Sequence, residues 1–180
     1  MSEIYGATRE AWGHLDENLS LGDDLLPVVS NPAAKPSPKS TLKAVGKVPS
    51  QYNGHRYVVG IPSWTDYHQN PGEIEKWAEE PDYGICIQTR KLRAFDIDVD
   101  DPARARAIED TIRDVLGLDL PRRWRFNSGK VLLAFELEGE YRKRVVHVEG
   151  GMVEFLATGQ QFIAVVTHPS GARYLWDDER

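Results

Sequence analysis

The chain has 180 residues, 41% of them hydrophobic and 28% charged, with a formal net charge of −6. That is enough chain for one domain with a real core. The acidic balance excludes a general nucleic-acid coat, which needs clustered Lys and Arg, and the single cysteine, Cys86, excludes an intrachain disulfide or a cysteine-built metal cluster. No run of about 18 apolar residues exists to span a membrane, and the first residues have neither a basic start nor an apolar signal core. The expectation is a cytoplasmic protein.

Residues 3–20 place Ile4, Ala7, Ala11, Trp12, Leu15 and Leu19 at steps of three and four, which predicts a helix ended by Gly22. Residues 25–29 predict a first strand. Residues 30–50, with Pro32, Pro36, Pro38 and Pro49, predict a surface loop made locally basic by Lys43 and Lys47. A short strand is expected over 57–61. Asn70-Pro71 predicts a helix start, with Glu73 and Glu75 at its positive end and Ile74 and Trp77 buried. Residues 83–87 predict a strand that runs into Gln88-Thr89-Arg90 and a tight connection.

The stretch Ala94-Phe95-Asp96-Ile97-Asp98-Val99 alternates apolar and acidic residues, so it predicts a strand with Asp96 and Asp98 on the same face, roughly 6.5–7 Å apart. Two readings stand side by side. One is a solvated acidic face; the other is a pair of carboxylates sharing a hard divalent cation, which relieves their mutual repulsion. Asp101-Pro102 then caps and opens a helix whose apolar residues keep helical spacing up to Gly117. Residues 124–126 and 131–135 predict two strands joined by a turn over 127–130. Another strand is expected at 144–148, a turn at Gly150-Gly151, a hairpin of 152–156 with 161–166 closed by Thr158-Gly159, and a last strand over 173–176. The order predicts an α+β fold, an antiparallel sheet backed by a long helix.

Glu154, between Val153 and Phe155, points away from their buried face and is either a solvated position or a third carboxylate. Three carboxylates can hold two divalent ions about 3.5–4 Å apart for in-line phosphoryl transfer. Ser128-Gly129-Lys130, beside Arg122, Arg123 and Arg125, is either a plain hairpin turn or a phosphate clamp of backbone N–H groups, hydroxyl and ammonium. It lacks the spacing of a Walker loop.

Taken together, these pieces resemble the catalytic domain of the bifunctional primase-polymerases of phages and plasmids, in the archaeo-eukaryotic primase superfamily. The matching stretches are Gly46-Lys47-Val48-Pro49 with Trp64, Tyr83 through Thr89, Phe95 through Asp100, Arg125 through Lys130, Val153-Glu154-Phe155, and Thr167 through Gly171 with Tyr174 and Trp176. They span roughly residues 20–177.

The resemblance implies a small N-terminal α/β unit packed on a palm-like sheet resembling an RNA-recognition motif, mostly antiparallel, as one catalytic domain over residues 1–180 with further domains beyond. It implies template-directed nucleotide transfer from NTPs or dNTPs with Mg²⁺ or Mn²⁺. The implied partners are a single-stranded DNA template, a primer strand and a replicative helicase domain. Asp96, Asp98 and Glu154 carry over as catalytic metal ligands; Thr89, Arg125, Ser128, Lys130 and His168 carry over as nucleotide contacts. The family's second motif usually carries a histidine shortly after the Ser-Gly. The equivalent position here is Leu132, which leaves Lys130 or His168 to supply the positive charge.

Two other classes remain in view. A metal-dependent nuclease also uses paired carboxylates, but no Glu-x-Lys follows the aspartates on a strand. A non-catalytic nucleotide- or nucleic-acid-binding module of the same fold is the reading that Leu132 supports. A rolling-circle initiator is excluded by the absence of His-x-His, and His14, His55, His68 and His147 lack ligand spacing.

Overall fold

The structure is a computed structural model that describes residues 5–177. It is a mixed α+β fold with mostly antiparallel sheets and few helices. None of its helices is long and apolar enough to cross a membrane. The chain divides into two compact units, residues 5–88 with 163–173 and residues 89–162 with 174–177.

The first unit begins with α1 (Arg9–Gly13), which passes directly into a π-helical turn over His14–Asn18. This is shorter than the periodicity predicts. Thr8 starts the helix by accepting a hydrogen bond from the Ala11 N–H. Trp12 is buried, whereas Leu19 stays exposed; Ile4 lies outside the described residues. Gly22 opens a separate 3₁₀ turn instead of ending the helix.

Strand β1 (Leu25–Val29) is buried along its whole length and pairs antiparallel with β4 (Tyr83–Gln88). Pro27 is tolerated because β1 is an outer strand of its sheet. A two-stranded ribbon of β2 (Ser50–Tyr52) and β3 (Val58–Gly60) follows. Helix α2 (Glu73–Ala78) starts two residues later than Asn70-Pro71 predicts, after Gly72 in a left-handed conformation. The Glu73 carboxylate accepts from both the backbone N–H and the side-chain amide of Asn70, so Asn70 serves the turn and does not cap the helix. Ile74 and Trp77 are buried as expected, and Trp77 packs on Trp12 with ring centroids 6.0 Å apart.

At the end of this core Asp82 is buried and held by several donors. Tyr52 donates its hydroxyl at 2.6 Å, Asn31 its amide, and Arg56 lies 3.7 Å away. Burial, and then the bond to Asp82, push the Tyr52 phenol well above its ordinary range.

The second unit is built on a six-stranded sheet in the order β11-β6-β7-β5-β9-β8. Its strands are β5 (Leu92–Val99), β6 (Arg122–Trp124), β7 (Val131–Glu136), β8 (Arg144–Val148), β9 (Gly151–Leu156) and β11 (Leu175–Trp176). Helix α3 (Pro102–Leu116) has the limits read from the sequence. The Asp101 carboxylate accepts the Arg104 N–H, and Gly117 closes the helix at φ 64°.

One face of the sheet meets α3. Ile97, Val99, Val131 and Leu133 are buried there with Ala105 and Leu120, and Ile108 and Ile112 pack against them. Phe95, Phe135 and Phe155 stack on that face with centroids 5.2–6.3 Å apart. Glu109 of α3 is buried and balanced by Arg113 at 3.1 Å and Arg122 at 3.0 Å.

Two pairings differ from expectation. Strand β6 lies two residues earlier than 124–126, because Arg122 and Arg123 pair with Leu133 and Leu132 while Phe126 stands exposed in the turn. Strand β9 does not form a hairpin with β10 (Gln161–Val165). It pairs with β5 and β8, and β10 joins the sheet of β1 and β4, so Thr158-Gly159 carries the chain from one sheet to the other.

Candidate functional site

The alternation along β5 leaves Asp96 and Asp98 on the face away from α3, and the ladder decides what joins them. Asp96 pairs with Glu154 on β9 and with Leu132 on β7, which in turn pairs with Arg123 on β6. Directly opposed residues project from the same side of a sheet with Cβ atoms about 4.5–5.5 Å apart. One row therefore reads Arg123, Leu132, Asp96, Glu154, with Asp98 one pleat further along β5. Had the register slipped by one residue, Glu154 would face α3.

Each carboxylate has its own basic partner. Lys130 Nζ lies 2.5 Å from Asp98 and 3.4 Å from Asp100. Lys143 Nζ lies 2.5 Å from Glu154. The Arg123 guanidinium lies 3.9 Å from Asp96 and rests on the Tyr174 ring, 4.3 Å from its centroid. Burial pushes the Asp96 carboxyl above its ordinary value; Asp98 and Glu154 push the same way, and Arg123 and Lys130 oppose them. The hydrogen bond to Asp98 raises Lys130 and keeps its ammonium charged.

The turn between β6 and β7 brings the clamp residues to this row. Ser128 Oγ accepts from the Lys130 N–H at 3.1 Å and from Arg125 at 3.4 Å. Gly129 fits because it has no side chain: a Cβ there would come within 2.9 Å of the Asp100 carbonyl oxygen and 3.1 Å of Pro102. The turn is thus seated on the segment that leads from β5 into α3.

Thr89 and His168, the remaining site residues of the sequence reading, have partners of their own. Thr89 is fully buried at the head of β5. Its hydroxyl donates to the Ala157 carbonyl, its N–H donates to Gln160, and its own carbonyl accepts from the buried Arg93. The hydroxyl proton of Thr89 is thus engaged inside the fold. His168 belongs to the first unit, where Nδ1 accepts the Ser170 N–H at 3.1 Å and lies 2.8 Å from the Ser170 hydroxyl. Leu132 is fully buried within the acidic row. Arg123, read from the sequence only as one of the arginines beside the turn, and Lys143 are part of the arrangement. Alternation with Arg125, one residue past β6, was a usable signal for Arg123; for Lys143 only the β8–β9 register supplies one.

Whether these residues suit a divalent cation is a question of donor chemistry. Three carboxylates on one face are hard oxygen donors of the kind Mg²⁺ and Mn²⁺ take. Among the described residues, however, no three His, Cys, Asp or Glu side chains are gathered closely enough to hold an ion as they stand. The three acids are each turned to a separate cation, so the donors suit a divalent ion in type and share one face of the sheet without being gathered on one point.

Fold and site define an α+β protein whose antiparallel sheet carries acidic and basic side chains together on one face. Residues 64–180 match the family described as bifunctional DNA primase/polymerase, N-terminal (Prim-Pol), and the chain belongs to that family, a primase/polymerase-type nucleotidyltransferase domain. Gly46-Lys47-Val48-Pro49 lies ahead of the matched residues. Comparison with curated proteins and with solved structures found no match.

Proposed function

We propose that this domain transfers nucleotides from NTPs or dNTPs to a primer on a single-stranded DNA template, in the replication of a phage or plasmid. The observation that carries the reading is the pairing of Asp96 with Glu154 on the face that also holds Asp98. Asp96, Asp98 and Glu154 would hold Mg²⁺ or Mn²⁺, which when bound neutralises triphosphate charge and eases in-line attack by a primer 3′-hydroxyl.

The chain's own residues do the rest. Lys130, fixed through its backbone to Ser128, places a charged ammonium beside Asp98 for a phosphate to meet. Arg123, buried and stacked on Tyr174, is held rigidly enough to orient a negative group beside Asp96. Arg125, bonded to the Ser128 hydroxyl, steadies the turn itself.

The test is incorporation of labelled nucleotides on a primed and an unprimed template with Mn²⁺. Asp98→Asn is expected to keep the fold, judged by circular dichroism, and to lose at least about a thousandfold in turnover. Full activity in that variant would remove the metal assignment, and degradation of the template would favour a nuclease. A second reading, a nucleotide-binding module without turnover, is favoured by one observation. Leu132 puts an apolar, fully buried side chain in the acidic row where the family usually has an imidazole. Nucleotide binding without incorporation would establish it.

A further inference from the structure

Three cations hold three acids, but they are not equivalent. Arg123 is buried and stacked on Tyr174. Lys130 is shared between Asp98 and Asp100 and leaves a turn pinned by Ser128 and Gly129. Lys143 stands at the end of the non-strand segment 137–143, with Glu154 as its one ion-pair partner among the described residues. The backbone of that segment is anchored: Gly139 accepts from Arg93 at 2.8 Å, and the Tyr141 ring meets Phe155 edge-on at 6.2 Å. Only the four-carbon stem of Lys143 is left to move, and its side chain is more than a third exposed, against a fifth for that of Glu154.

From this geometry we infer that Lys143 is a displaceable counter-ion that sets the affinity of the acidic row for a divalent cation. This deepens the reading above and rests on it. The ammonium sits 2.5 Å from Glu154 Oε1, where its charge repels and competes with any second cation drawn to that carboxylate. A divalent ion therefore gains Glu154 as a partner beside Asp96 and Asp98 at the expense of Lys143. Eviction is cheap because the side chain swings into water. Without an ion, Lys143 keeps Glu154 from lying uncompensated against Asp96, its direct cross-strand neighbour.

The experiment is a Mn²⁺ titration of the whole chain, followed by the loss of the free-ion electron paramagnetic resonance signal. Lys143→Met is expected to tighten Mn²⁺ binding roughly three- to tenfold. Arg142→Met removes the same charge one residue away, from an exposed side chain, and is expected to change affinity less than about twofold. Lys143→Arg keeps the charge and should leave affinity at or below the parent's.

Thermal unfolding gives a readout independent of turnover. Metal-free Lys143→Met should melt below the parent, and Mn²⁺ should raise its melting point more than it raises the parent's. Equal affinity in Lys143→Met and parent, an equal gain in Arg142→Met, or a gain in Lys143→Arg would overturn the inference while leaving the nucleotidyl-transfer reading in place. Failure of the parent itself to bind Mn²⁺, with Asp98→Asn unchanged in nucleotide incorporation, would overturn both.

Discussion

Asp82, buried in the first unit, and the partly exposed acids of the Asp96 row in the second are matched to their partners in opposite ways. Asp82 is surrounded by neutral donors, the Tyr52 hydroxyl and the Asn31 amide, with Arg56 further off. Those donors are part of the packed structure, and Tyr52 itself stacks on Tyr83 at 5.8 Å. Asp98 and Glu154 are held instead by lysine ammonium groups on flexible stems, and Asp96 lies beside two like charges. A carboxylate that gives up its partners at Asp82 leaves a hole in the hydrogen-bonding of a core. One that gives them up in the second unit releases a lysine side chain that can swing into water. On the function proposed above, that difference separates a structural acid from one free to take a ligand.

Removing the acid from each region should break the contrast most sharply. Asp82→Ala strands the Tyr52 hydroxyl and the Asn31 amide and is expected to cost about 2–4 kcal/mol, read by urea unfolding. Smaller in free energy is the effect of Lys130→Ala. Apparent nucleotide KM should rise about tenfold with little change in DNA binding, and unchanged nucleotide kinetics would take Lys130 out of the clamp.

The smallest effect has the opposite sign. Burial raises the Asp96 carboxyl, so folding makes that group harder to ionise. The contribution of that carboxyl to stability is fully present below its unfolded value of 3.8 and is lost as pH rises through the raised folded value. At neutral pH Asp96→Asn should therefore melt higher than the parent, by about 2 °C, while losing activity. A lower melting point would mean that the ionised acid is net favourable and that the two regions are less different than drawn.

Where the sequence carried both a start and a stop, the structure follows it closely. Asp101-Pro102 and Gly117 delimit α3 because cap, ring and left-handed glycine act locally. Alternation in β5 foretold the shared face of Asp96 and Asp98, since a period of two leaves no other choice. The failures have physical reasons. Asn70-Pro71 looked like a helix start because a cap and a first-turn proline are short-range signals, but Gly72 and the Glu73 carboxylate put the first turn later. The strands 152–156 and 161–166 looked like a hairpin because turn chemistry at Thr158-Gly159 says nothing about which sheet the next strand will enter. The pairing of Lys143 with Glu154 was not legible, because the β8–β9 register, not sequence neighbourhood, brings the two together.

The missing side chain at Gly129 has a consequence beyond fit. The turn that carries Ser128 and Lys130 lies directly against Asp100 and Pro102, where the acid strand ends and the helix starts. The spacing between the backbone of that turn and the carboxylates is then a dimension of the fold. A methyl group at position 129 would act like a shim under a machine tool, misaligning the two without touching either.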